Sequence, residues 1–209
     1  FEKQSGALRT ALHFDPSLEA PLKNLAKLYT GADRAEELLS VYRTHTTQYP
    51  QDESARVVLI RLLREMRKPD ARALITKARK EFPNSSLIAY LSFQELSDEK
   101  DPRALDALSG AITAEIKPGR KRLWIDQLVD LAVAEGRQDL ASKHLTALAA
   151  APGQSAEFLV ALARKMQTAK FHELVLTTLD KARAINASPE LKVDIELVAA
   201  TAESAQGSF

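Results

Sequence analysis

Asp15-Pro16-Ser17-Leu18-Glu19-Ala20-Pro21-Leu22-Lys23-Asn24-Leu25-Ala26-Lys27-Leu28-Tyr29 opens the first complete unit of this 209-residue chain. Proline lacks an amide donor and restricts the residue before it, so Pro16 marks a place where a helix must stop or start. After it, Leu18, Leu22, Leu25, Ala26, Leu28 and Tyr29 recur at three- and four-residue spacing. That spacing gathers them on one face of a helix.

Outward from this stretch the same punctuation returns. Pro16, Pro50, Pro83, Pro118, Pro152 and Pro189 stand at intervals of 34, 33, 35, 34 and 37 residues. Each interval reads as helix, short turn, helix, and a breaker recurring near every 34 residues is the mark of stacked helical hairpins. The expected fold is all-α, a right-handed α-α superhelix of antiparallel helix pairs. The reading is a single array over residues 1–209. It has a lone helix at 2–13, pairs at about 17–49, 52–82, 84–117, 120–151 and 154–187, and a terminal helix at 190–203. Each hairpin bares apolar groups on both flanks, so it is stable only when stacked on neighbours. Within the turns, Gly31 is expected to take the left-handed helix end and Asp33 to cap the next helix. Asp101 before Pro102 is expected to cap another, and Ser85 is a natural cap after Pro83.

Composition narrows the function classes. A chain 45% hydrophobic and 27% charged is an ordinary soluble globular one. The net charge of +1 gives no bulk electrostatic case for nucleic acid or a membrane surface. Cysteine is absent, which removes disulfides, thiolate metal sites and cysteine nucleophiles together. That absence suits either the cytoplasm or the periplasm. No apolar run approaches the roughly 20 residues that span a bilayer. Because the chain opens at Phe1, it is expected to be a processed form or part of a longer polypeptide, and its Ala/Leu richness is compatible with a bacterial source.

No catalytic constellation is readable. His13, His45, His144 and His172 fall in separate repeats, and none forms the i, i+4 or HExxH arrangement of a helical zinc site. His45 and His144 are expected in packed second helices with a satisfied hydrogen bond. There is no GxSxG elbow, and the seven glycines are isolated rather than clustered for phosphate binding. The expectation is a protein that is not an enzyme and uses no metal and no cofactor.

One charge asymmetry stands out. Residues 56–80 hold nine cations (Arg56, Arg61, Arg64, Arg67, Lys68, Arg72, Lys77, Arg79, Lys80) against Glu65 and Asp70, a local charge of +7. Either this is a solvated face balanced from elsewhere in the fold, or it is a basic ledge for an acidic peptide or a nucleic acid. Aromatic residues interleaved for base stacking are missing from it, which disfavours the nucleic acid.

The quoted stretch resembles the opening of a tetratricopeptide repeat, with Leu22, Leu25-Ala26 and Tyr29 at that family's bulky, Leu-small and aromatic positions. Ala71, Ile75 and Ala78 resemble its second helix, and Trp124 falls where the family often has tryptophan. The likeness extends over nearly the whole chain as about five repeats, although Ile60 replaces the small residue in the second. The alternatives are a half-a-repeat array of the RNA-processing kind or an armadillo- or HEAT-like array, with longer periods of about 40 to 47 residues in the HEAT case.

The resemblance implies that first helices line a concave groove. Lys23 and Lys27 would face it in the first repeat, then Val57, Arg61 and Arg64, then Tyr90 and Gln94, then Arg122 and Ile125. The family's clamp for chaperone tails is not matched, since Val58, Leu87 and Leu91 stand where it offers Asn, Lys and Arg. The expected function is a non-catalytic protein–protein interaction scaffold or adaptor holding a partner segment, possibly acidic, in that groove. The alternatives are a self-assembling array joined through its terminal helices and an RNA- or nucleic-acid-binding repeat using residues 56–80.

Overall fold

A backbone feature repeats in step with the prolines. In the computed structural model, which describes residues 1–185 and 187–207, five residues with positive φ close five helical hairpins. They are Asp33 (55°), Arg67 (53°), Lys100 (57°), Gly136 (73°) and Lys170 (63°), at intervals of 34, 33, 36 and 34 residues. The amide that follows each one reaches back five residues to a carbonyl: Arg34 to Tyr29, Lys68 to Leu63, Asp101 to Leu96, Arg137 to Ala132 and Phe171 to Met166, all at 2.7–2.9 Å. This is the left-handed closure that satisfies the last carbonyls of a helix and turns the chain back on itself.

Twelve helices and no strand occur among the described residues. The chain divides into two compact units, Phe1–Pro118 and Gly119–Phe209. In the first unit α1 (Glu2–Phe14) precedes three hairpins: α2 (Glu19–Gly31) with α3 (Ala35–Gln48), α4 (Glu53–Glu65) with α5 (Ala71–Glu81), and α6 (Ser86–Asp98) with α7 (Ala104–Ala114). The second unit holds α8 (Pro118–Ala134, its proline at the boundary), α9 (Gln138–Ala150), α10 (Ala156–Thr168), α11 (His172–Arg183) and α12 (Pro189–Ala205). Helices adjacent in sequence pack together from α1 to α7 in the first unit and from α9 to α12 in the second, and first helices also pack on first helices: α2 on α4, α4 on α6 and α10 on α12. The architecture is an all-α helical repeat.

Two turn expectations need correction. Gly31 is the last helical residue of α2, and the left-handed position falls two residues later at Asp33. The reason is register: the closing amide must come directly after the left-handed residue to meet the Tyr29 carbonyl. Asp33 is thereby used up in the turn, and α3 starts from Arg34 with no side-chain cap. Asp101 likewise does not cap α7, which begins at Ala104; it accepts from the Arg103 amide at 2.9 Å within the turn. The helices with a side-chain cap are first helices α4, α6 and α10 and the terminal α12, whereas α2 starts from Leu18 without one. Asp52, Ser85, Ser155 and Ser188 accept from the amides of Ala55, Ile88, Phe158 and Leu191 at 2.9–3.2 Å. Second helices α3, α5, α7, α9 and α11 have no such bond, because their entry is the reversed turn itself.

The first unit is organised around α4, in which every residue from Ala55 to Leu63 is buried. Val58, Leu59, Leu62 and Leu63 join Leu12, Leu25, Leu38 and Leu39 in one apolar cluster. Val57 and Ile60 point the other way, into a second cluster with Ile75, Ala78, Ile88 and Leu91. Ile60, the departure from the Leu-small pattern, is therefore core. Each such buried aliphatic side chain is worth roughly 1.5–3 kcal/mol. In the second unit Leu159, Leu162 and Met166 of α10 are buried, as are Val175 and Leu179 of α11 and Ile195 and Val198 of α12.

Candidate partner-binding groove

Lys23 and Lys27 lie one turn apart on α2, exposed, flanking the buried Ala26. The turn after α4 comes alongside, and between them runs a groove of about 760 Å³ in the first unit. Its floor includes Ala26, Ala35 and Met66, and its cations are Lys23, Lys27, Arg67 and Lys68. Glu65 is the one carboxylate in its lining. An apolar floor with a methionine is adaptable to different side chains, and the cations around it offer donors for carboxylates.

These four cations are not equally available. Lys68 Nζ is 2.5 Å from Glu36. The Lys68 and Arg43 hydrogen bonds in turn hold the Glu36 carboxyl below the usual carboxylate range, so it stays ionised. Lys23 is 3.9 Å from Glu19, with both side chains largely exposed; pairs of this kind contribute about 0–1 kcal/mol. Lys27 and Arg67 have neither an ion-pair nor a side-chain hydrogen-bond partner among the described residues.

Other residues expected in the groove serve elsewhere. Val57 is 0 % exposed and Ile125 is 2 % exposed, so both are core rather than surface. Arg61 is 9 % exposed. Its guanidinium donates to the carbonyls of Pro16 and Leu18 and pairs with Glu19, tying α4 back to the start of α2. Arg64 reaches forward to α6, to the Leu91 carbonyl at 3.2 Å, Gln94 Oε1 at 3.4 Å and Asp98 at 2.7 Å. Gln94 is thus an acceptor for Arg64, and Tyr90 packs its ring 5.5 Å from that of Phe93. In the second unit, exposed Arg122 sits 4.7 Å over the Phe158 ring. Arg67 and Met66 belong to the groove and were missed by sequence reasoning, because face assignment stops where the helix does.

The basic stretch is balanced from outside itself. Arg56 pairs with Glu81, Arg61 with Glu19, Arg64 with Asp98, Lys68 with Glu36, Arg72 with Glu99 and Lys77 with Glu81. Of the nine cations, Arg67, Arg79 and Lys80 alone have no carboxylate within ion-pair distance among the described residues.

The second unit has a groove at the matching place, between α8 and α10, of about 490 Å³. Its charges are closed on themselves: Lys165 lies 3.3 Å from Asp126 and 3.2 Å from Asp130, and Arg164 lies 3.0 Å from Asp194. By contrast, the α2/α4 groove keeps Lys27 and Arg67 without a paired carboxylate among the described residues.

Elsewhere, His45 Nε2 is 2.8 Å from Asp52, the residue that caps α4. His144 is buried, and that burial, helped by Lys143 and Lys121, pushes its imidazole pKa down. No helix among the described residues is long and apolar enough to cross a membrane. Comparison of the chain with family models, with curated proteins and with solved structures found no match.

Proposed function

We propose that this protein is a non-catalytic interaction scaffold of the tetratricopeptide kind, which holds a segment of a protein partner against first helices α2 and α4. The observation that carries the reading is the open groove of about 760 Å³, whose cations Lys27 and Arg67 have no ion-pair partner among the described residues. Helical hairpins stacked in series present an extended surface for binding, and the tetratricopeptide resemblance implies that its first-helix side is where a segment docks. The remaining cations of residues 56–80 are mostly committed to neighbouring helices, which speaks against a nucleic-acid role for that stretch. Selection of binders from a random peptide library tests the reading. Enriched peptides should bind the native chain and be lost on Thr30→Trp, which fills the groove from the exposed face of α2. Failure to enrich any sequence, or binding indifferent to that substitution, would remove it.

A second reading has one observation in its favour. Val193 and Leu197, one turn apart on α12, are 69 % and 62 % exposed. Self-association through that face predicts a mass that rises with concentration in analytical ultracentrifugation and stays monomeric in Val193→Glu/Leu197→Glu.

A further inference from the structure

We infer that the segment held in the α2/α4 groove is acidic, and that Arg67 and Lys27 are the residues that select it. This rests on the groove reading above and adds the chemistry of the occupant.

The argument begins with accounting for charge. Cations at helix ends are often explained by the helix dipole or by bonds to the last carbonyls. Here the carbonyls at the end of α4 are already taken, with Leu62 and Arg64 accepting from Met66 and Arg67 and Leu63 accepting from Lys68. The Arg67 guanidinium bonds to none of them, and Lys27 bonds to no carbonyl of α2. Lys68, by contrast, is held by Glu36, and Lys23 lies near Glu19. The groove therefore keeps two cations that no described residue pairs with, against the single Glu65 in its lining.

Arg67 also occupies the turn position where φ is +53°. Glycine adopts that conformation without strain, and an L side chain there costs about 1–2 kcal/mol. Its conformation is dictated by the hairpin, so the side chain is held at the groove edge by a rigid turn rather than at the end of a flexible loop. A guanidinium carried on a backbone position set by the turn, beside an ammonium, suits carboxylates, which the guanidinium can grip with two parallel bonds. No aromatic side chain lines the groove, so a single-stranded nucleic acid would find phosphate contacts but no stacking platform. An acidic polypeptide with small or aliphatic side chains between its carboxylates fits both the charge and the floor of Ala26, Ala35 and Met66.

The test uses the full chain and fluorescence anisotropy with three short labelled peptides of matched length and apolar content, rich in Glu, Gln or Lys, and an oligothymidine of similar length. The Glu peptide should bind at least about tenfold tighter than the Gln peptide, with the Lys peptide and the oligonucleotide weaker still. Lys27→Gln/Arg67→Gly should abolish that preference. Because glycine relieves the turn, this variant is expected to be as stable as the native chain or more so, and lost binding cannot be ascribed to unfolding. Arg79→Glu/Lys80→Glu, which removes the other two unpaired cations of the stretch, should leave the Glu peptide's affinity unchanged. Equal binding of Glu and Gln peptides overturns the inference while leaving the scaffold reading intact. Equal loss in both double variants, or an oligonucleotide that binds as tightly as the Glu peptide, overturns it in favour of a general polyanion surface. If no peptide binds and library selection also fails, both readings fall together.

Discussion

Lys117 Nζ lies 3.3 Å from the carboxylate of Asp15, across 102 residues of sequence. The pair joins the turn before α2 to the turn after α7, so the three hairpins of the first unit are tied at their two ends. Burial alone would raise the Asp15 pKa. The Ser17 hydroxyl and amide, with a smaller contribution from Lys117, outweigh it and hold the carboxyl below its ordinary value. A depressed carboxylate contributes stability that is complete above the unfolded-state pKa and is lost as pH falls through the folded one. Denaturation measured between about pH 6 and pH 2 should therefore show Asp15→Asn reducing the acid-sensitive part of the curve. Lys117→Met should reduce it less, because the Ser17 bonds remain. Identical acid limbs in all three proteins would contradict this account.

The left-handed turn positions give a stability prediction with a sign. Lys100→Gly and Lys170→Gly should each raise stability by up to about 1 kcal/mol, relief of backbone strain outweighing the entropy that glycine adds to the unfolded chain. Gly136→Ala should cost about 1 kcal/mol. A Cβ at Gly136 would meet no atom within 4 Å, so the whole cost is conformational. Urea denaturation of the three variants measures this, and opposite signs would show that the turns tolerate φ differently from the hairpin closure described.

Arg61 and Arg79 separate structural cations from solvated ones. Arg61→Ala removes a buried guanidinium together with its bonds to Pro16, Leu18 and Glu19. Because Glu19 keeps access to water, a loss of about 2–4 kcal/mol is expected, at or below the range for broken buried pairs. Arg79→Ala should stay within about 0.5 kcal/mol. Comparable effects would mean that Arg61 is not the tie between α2 and α4.

The prolines and apolar spacing were enough to read the helix order, because a missing amide and a one-sided apolar stripe act locally. What stayed hidden was charge pairing. Arg61 meets Glu19, Arg64 meets Asp98, Lys68 meets Glu36 and Arg72 meets Glu99, at separations of 42, 34, 32 and 27 residues. Those spacings scatter around one repeat, so a local window of residues 56–80 shows an excess that the neighbouring repeats cancel. Val57 and Ile125 were misjudged for a related reason. A helix flanked on both sides, as α4 is, buries faces that a lone amphipathic helix would expose. Lys23 and Lys27, which the family resemblance implied would face a concave groove, are exposed on α2 and line the hollow between α2 and the turn after α4.

Core identity can be checked directly. Ile125→Ala should cost about 2–5 kcal/mol, as expected for a truncated buried aliphatic. A groove-lining isoleucine would lose far less, so near-neutral behaviour would return Ile125 to the surface.

The most direct test of the groove is an amide NMR titration of the native chain with a Glu-rich peptide. Shift changes concentrated at residues 23–31 and 65–68, and absent in Lys27→Gln/Arg67→Gly, are the predicted result. Changes centred on Arg79 and Lys80, or spread evenly over the exposed cations, would contradict it.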